Sequence, residues 1–284
     1  MSDWAEGSAR MKWLAAAGMA TWLASGAFSL VASDTAVKPA FASAVLFVSA
    51  LLIAGLVVAW SAMQSHRSAV HSAAWLLLGV GLLAQIVVFT ATIVAAMAVD
   101  RSASPFGAAL EPSVWGYPPV VGAMFMLAWS LRGVPKPGQA LWRSLSLSLV
   151  IWSALLAALI APGPSMPFSI GPRDTTAMIR LTVDMLFVFW PTTYSVAATL
   201  QGPGGHRARS WMWVAIGALA WAMSDVGLPL VDLHHAQAYP LLLWALGVQI
   251  MAMGASLAVD LDIAETQTTE DAANAKPKPA GALD

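Results

Sequence analysis

An all-α, polytopic membrane bundle of about eight transmembrane helices is what this sequence predicts, and three observations carry the prediction. Of its 284 residues, 58% are apolar and only 10% charged, where soluble domains hold roughly 45–50% and about 25%. Apolar runs recur along nearly the whole chain, each close to the ~20 residues that a helix needs to cross the hydrocarbon core. Basic residues collect in every second loop, the bias that keeps short loops in the cytoplasm. A β-barrel does not fit, because barrel strands are alternating segments of about ten residues and these runs are continuous.

The first span, 13 to 33, follows Arg10 and Lys12. It is too long for a signal-peptide core, and Asp3 and Glu6 precede it. The second span, 39 to 63, turns through Arg67 into the third, 73 to 98. A longer outer connection, 100 to 119, offers Trp115 and Tyr117 to an aromatic belt where the fourth span, 115 to 131, begins. "RGVPKPGQ" (132 to 139), with Arg132, Lys136 and Arg143 around it, leads into the fifth span, 141 to 161. "APGPSMPFSIGPRD" (161 to 174) joins this to the sixth, 175 to 200. "QGPGGHRARS" (201 to 210), with Arg207 and Arg209, joins that to the seventh, 211 to 231. Pro and Gly punctuate all three connections. The eighth span, 239 to 259, completes the bundle. The outer loops hold only Lys38, Arg101 and Arg173, so both termini are expected to be cytoplasmic, with the helices in a bacterial cytoplasmic (inner) membrane. The transmembrane domain is read as 1–262, and 263–284, where polar residues replace apolar ones, as a disordered cytoplasmic tail.

Composition also narrows the chemistry. A net charge of −1, with basic residues scattered over separate loops, gives no nucleic-acid-binding patch. The absence of cysteine removes disulfides and thiolate sites. No phosphate-binding loop, dinucleotide fingerprint or nucleophile elbow occurs, and no cofactor is predicted.

The informative residues are the polar ones inside the spans. "RLTVDMLFVFWP" (180 to 191) carries Arg180 and Asp184 four residues apart, hence on one helix face, which continues through Val188, Pro191 and Ser195. Pro191 has no N–H for the helix ladder and leaves the carbonyl of Phe187 free, so a kink is expected there. At ~1.5 Å per residue, Arg180 lies roughly 8 Å and Asp184 roughly 14 Å below the outer boundary, with Asp225 of the returning helix about 9 Å below it. A charge facing lipid costs about 2.5–3.5 kcal/mol near a helix centre. The three are therefore expected to face one another as an outer-half, ligand-binding polar pocket, with Trp190 and Trp221 deep enough to line it. A purely structural network accounts for the same charges. Trp221, Ala218 and the adjoining Gly217 suit close helix packing. Other tryptophans, including Trp75, Trp211 and Trp244, fall near span ends, where the membrane interface explains them. Asp232, His234 and His235, in "VDLHHAQAY" (231 to 239), are the metal candidates, although a closed zinc site needs about four ligands.

Four segments follow one another in a familiar order: "AAWLLLGVGLLAQ" (73 to 85), "WGYPPVVGAMFMLAWSLR" (115 to 132), "WVAIGALAWAMSDVGLPLVD" (213 to 232) and "LLLWALGVQIMAMGASLA" (241 to 258). In this the chain resembles the multi-pass sensory regions found before GGDEF-type diguanylate cyclase or kinase domains in bacterial signalling proteins. There, a helix of the "ALxLxxAD" type is followed by an outer loop and a final "W-x-L-G" helix. Ala222, Asp225, Trp244, Leu246 and Gly247 occupy comparable places here. The resemblance implies a sensor, and with no output domain after the last span it implies output through a partner. The expectation is a non-enzymatic sensory, regulatory or complex-forming module. It would contact lipid and a protein partner or a second copy, and its ligand is not specified. An ion-coupled transporter that titrates Asp184 or Asp225 about a Pro191 hinge is the alternative, and a membrane-embedded enzyme the third reading.

Overall fold

The computed structural model describes residues 2–31, 37–64, 69–99, 117–130, 136–160, 172–201 and 208–275, and within them every element is helical. In chain order these are α1 (Ser2–Val31), α2 (Val37–Gln64), α3 (Ala69–Val99), α4 (Tyr117–Ser130), α5 (Pro137–Ile160) and α6 (Pro172–Asp184). A π-helical turn (Met185–Phe189) follows, then α7 (Trp190–Gln201), α8 (Ala208–Leu230) and α9 (Ala238–Ala275). Among the described residues, Ala42–Gln64, Pro137–Ala158 and Leu242–Leu261 are long and apolar enough to cross a membrane, and Ser72–Val88 and Pro118–Ser130 are shorter apolar helices.

Proline marks where many of these helices begin. Pro137 and Pro172 are first residues of α5 and α6, while Pro39, Pro118, Pro119 and Pro240 lie in the first turns of α2, α4 and α9. First-turn N–H groups have no intrahelical acceptor, so a residue without one is accommodated there and its fixed φ favours the helix. At α5 the carbonyl of Lys136 then accepts the N–H groups of Gln139 and Ala140, each at 3.2 Å.

Helices α1 to α4 pack in succession, and α9 returns to lie against α1 and α2. Its most extensive contact is with α8, whose other side takes α6, the π turn and α7; α5 and α4 complete that half. One continuous buried core runs from Met11 and Phe47 through Leu78, Met124 and Leu181 to Trp221 and Met251. The outside is apolar as well, with Leu56, Val87, Val150 and Ile216 among many exposed large side chains. So much exposed apolar surface suits lipid and not water.

Between helices, small and hydroxylated residues do much of the joining, as expected where lipid tails compete equally for apolar contact. Ser25 Oγ donates to the carbonyl of Ser43 at 2.9 Å and Ser43 Oγ to that of Ser25 at 3.0 Å, a reciprocal clasp of α1 on α2. Gln249 Nε2 donates to the Ala50 carbonyl at 2.6 Å and ties α9 to α2. At one end of the bundle, Lys12 Nζ meets Asp260 Oδ2 at 2.8 Å, joining α1 to α9.

The structure differs from the sequence expectation in three respects. Helix α9 continues through 263–275, the first part of the expected disordered tail; 276–284 lie outside the described residues. The stretch "IAETQTTEDAANA" is too polar for lipid but contains Ala, Glu and Gln, which sustain a helix. For the same reason α1 starts at Ser2, well before its apolar run. Finally, Trp75, Trp211 and Trp244 are buried between helices and not exposed on the bundle surface: Trp75 stacks on Trp211 at 5.8 Å, and Trp244 meets Trp221 edge-on at 5.3 Å.

Candidate functional site

The sixth predicted span is where the chain departs from regular α-geometry. Asp184 is the last residue of α6, and the next five residues form the π turn, in which the Trp190 N–H reaches back to the Met185 carbonyl. A π turn widens the helix by one residue and frequently marks functional positions. Its place follows from Pro191, which can offer no N–H to Phe187 four residues back or to Leu186 five back. With the wide turn before it, Pro191 stands second in α7, where the first-turn prolines of the other helices stand. The expected disturbance at Pro191 is thus a change of helical pitch just ahead of it.

Asp184, Val188, Pro191 and Ser195 are all buried, so the polar stripe read from the sequence faces the protein interior, with Arg180 half-buried at its N-terminal end. Neither charge is isolated from partners. Leu181, Met185 and Val188 bracket Asp184 and belong to the same core as Trp221. Trp221 is fully buried against Trp244, while Trp190 is half-buried, its buried Nε1–H without an acceptor among the described residues. Helix α8 carries Asp225, whose side chain lies outside the described residues, as do Asp232, His234 and His235. Among the described residues no three His, Asp or Glu gather as a metal site.

Hydroxyl groups dominate the segment after the π turn. Thr192 Oγ1 donates to the Phe189 carbonyl at 2.7 Å, Thr193 Oγ1 to Trp190 at 2.9 Å, Ser195 Oγ to Pro191 at 2.9 Å and Thr199 Oγ1 to Ser195 at 2.8 Å. Such bonds to the preceding turn compete with the helix ladder and favour bending. Two hydroxyls also reach the neighbouring helix: Ser148 and Thr193 lie 3.2 Å apart, and Trp152 Nε1 donates to Thr182 Oγ1 at 3.3 Å. Of these, Ser195 lies on the stripe read from the charges; Thr192, Thr193 and Thr199 were not singled out, although "TTYS" directly after a tryptophan–proline pair is a visible signal. Nor do the charges point to Gln85, fully buried on α3 with neither amide atom hydrogen-bonded among the described residues, or to Gln249, whose Oε1 has no donor among them.

The α8–α9 seam is built differently. A Cβ on Gly217 would lie 2.5 Å from the Gly247 carbonyl oxygen, and one on Gly247 equally close to that of Gly217. Only hydrogen fits at either place. Two residues of the "WALG" stretch, Trp244 and Gly247, thus form the contact with Trp221 and Gly217.

Comparison with known protein families, curated proteins and solved structures finds no match.

Proposed function

We propose that the chain is a multi-pass protein of a bacterial inner membrane, with eight spans and both termini cytoplasmic, acting as a sensory or regulatory module that works through a partner. The observation that carries this reading is the π turn held between buried Asp184 and Pro191. Converting that turn to α-helix would rotate α7 by about 100° and shift it ~1.5 Å against α5 and α8, a change that helix packing resolves into two states. A ligand or partner that favours one packing would shift the population between them. The Lys12–Asp260 ion pair supports the topology, since the start of α1 and the inner part of α9 meet at one end of the bundle, as an even number of crossings requires. The resemblance of the later helices to sensory regions points the same way.

The test is mild-detergent purification from the native membrane with identification of bound proteins. A partner retained by the wild type and lost when Phe187 is deleted, which takes one residue out of the π turn, supports the proposal. A wild-type chain that elutes alone overturns it. Full burial of Asp184 in an apolar core favours the second reading, an ion-coupled carrier. Proton or cation flux in proteoliposomes that disappears with Asp184→Asn decides for that carrier.

A further inference from the structure

A groove of about 360 Å³ runs between α5, α7 and α8, open along one side. Its wall is hydrocarbon, from Phe189, Val196 and Leu200 on one side to Met212, Ile216 and Leu219 on the other. The hydroxyls within it are already engaged: Ser144 Oγ donates to Leu141 at 2.9 Å, and Thr193 is bonded to Trp190 and Ser148. The exception is Arg143, exposed and without an ion-pair partner among the described residues.

Four features together specify an occupant. Side chains tilt toward the start of their helix, so Arg143 leans toward the Pro137 end of α5, the end expected at the cytoplasmic face. Arg209, also exposed and likewise without an ion-pair partner among the described residues, precedes Met212 by three residues and shares its face at the same end of the groove. No Asp or Glu occurs in Pro137–Ile160, Trp190–Gln201 or Ala208–Ser224, so the two guanidiniums meet no acid from the lining helices. From Phe189 to Leu200 the wall extends ~16 Å at 1.5 Å per residue, close to half of a hydrocarbon core about 30 Å thick.

We propose that this groove seats one acyl chain of an anionic phospholipid of the cytoplasmic leaflet, with Arg143 and Arg209 holding its phosphate. The acyl chain supplies apolar surface over one leaflet's depth, and the phosphate supplies the negative charge that the described residues do not bring to the two guanidiniums. The inference rests on the membrane reading of α5, α7 and α8 given above.

The experiment uses the full chain in detergent, incubated with equimolar phosphatidylglycerol and phosphatidylcholine and examined by native mass spectrometry. The wild type is expected to retain phosphatidylglycerol preferentially. Arg143→Gln should lower that preference about fivefold, Arg143→Gln with Arg209→Gln should abolish it, and Arg143→Lys should keep most of it. Ala197→Leu, which narrows the groove, should reduce retention of both lipids. Equal retention by the wild type, or an unchanged preference in the double variant, overturns the proposal. The membrane reading is checked separately with Gln139→Cys, the sole thiol in an otherwise cysteine-free chain. Labelling by an impermeant maleimide only after permeabilisation upholds the orientation, so a missing lipid preference then counts against the groove alone. Labelling in intact cells overturns the assigned leaflet, and recovery of the chain without detergent overturns the membrane reading itself.

Discussion

The two sides of α8 are packed on opposite plans. Toward α9 it presents Gly217 and Trp221, and the backbones approach so closely that a single added carbon would strike a carbonyl. Toward α6 and α7 it meets a rod that changes pitch midway, carries a buried carboxyl group and bonds its hydroxyls to its own backbone. Close glycine contacts leave one arrangement, because backbone cannot move aside as a side chain can. A hydroxyl-lined helix with a π turn has an alternative within reach, since shifting one ladder bond by a residue returns the turn to α-geometry. The difference assigns anchoring to the α8–α9 seam and adjustment to the α7 side.

The largest effect should come from Trp221→Ala, which empties the centre of the anchoring seam. A loss of about 3–5 kcal/mol is expected for a fully buried tryptophan, read as a lowered midpoint in denaturant titration of the detergent-solubilised protein. Trp190→Ala, half-buried on the adjustable side, should cost clearly less. Equal losses would erase the proposed contrast.

Next in size is Gly217→Ala. Helix propensity alone would favour alanine by about 1 kcal/mol, but the new methyl would lie 2.5 Å from the Gly247 oxygen and 2.7 Å from Met251 Cγ. Overpacking should dominate, for a net loss of about 2 kcal/mol. Gly138→Ala, with nothing within 4 Å of the added carbon, should instead stabilise slightly. If both substitutions behave alike, close approach is not what fixes α8 on α9.

These contrasts bear on what the sequence could reveal. Within the described residues each predicted span is helical, the sixth as α6, the π turn and α7, because a long apolar run has few other solutions; the basic bias of the loops is written in composition. Helix ends were less legible: hydropathy measures solubility in lipid, while the polar start of α1 and the polar end of α9 are helical through local propensity. The stripe from Asp184 to Ser195 could be seen as one face, since four-residue spacing survives a single wide turn. The π turn could not. Pro191 shows that a ladder bond is missing, but whether the chain responds by kinking or widening depends on the packing of neighbours distant in sequence. The burial of Trp75, Trp211 and Trp244 was hidden for the same reason, because each finds its aromatic partner on another helix.

Replacing Gln249 with leucine should have a smaller effect than either seam substitution. The Gln249 Nε2 bond to Ala50 contributes, but its buried Oε1 has no donor among the described residues. Gln249→Leu removes both, so a net change within about 1 kcal/mol is expected, given that interhelical polar contacts in membranes average ~0.6 kcal/mol. Gln249→Ala leaves a cavity as well and should cost about 2 kcal/mol more. A large loss with leucine would show that amide contacts, and not only close packing, anchor α9.

Pro191→Ala should change stability least and geometry most. An alanine restores the N–H that the ladder lacks, so the wide turn loses its local cause and the α-helical alternative gains population. Because Ser148 and Thr193 now face each other at 3.2 Å, a Ser148→Cys and Thr193→Cys pair in this cysteine-free chain should cross-link readily under mild oxidation. Adding Pro191→Ala should slow that reaction several-fold, as α7 rotates Thr193 away from α5, while the unfolding midpoint moves little. An unchanged rate would mean that the neighbours, and not the proline, impose the π turn. The α7 side of α8 would then be as fixed as the α9 side, and the division into anchor and adjustable face would fall.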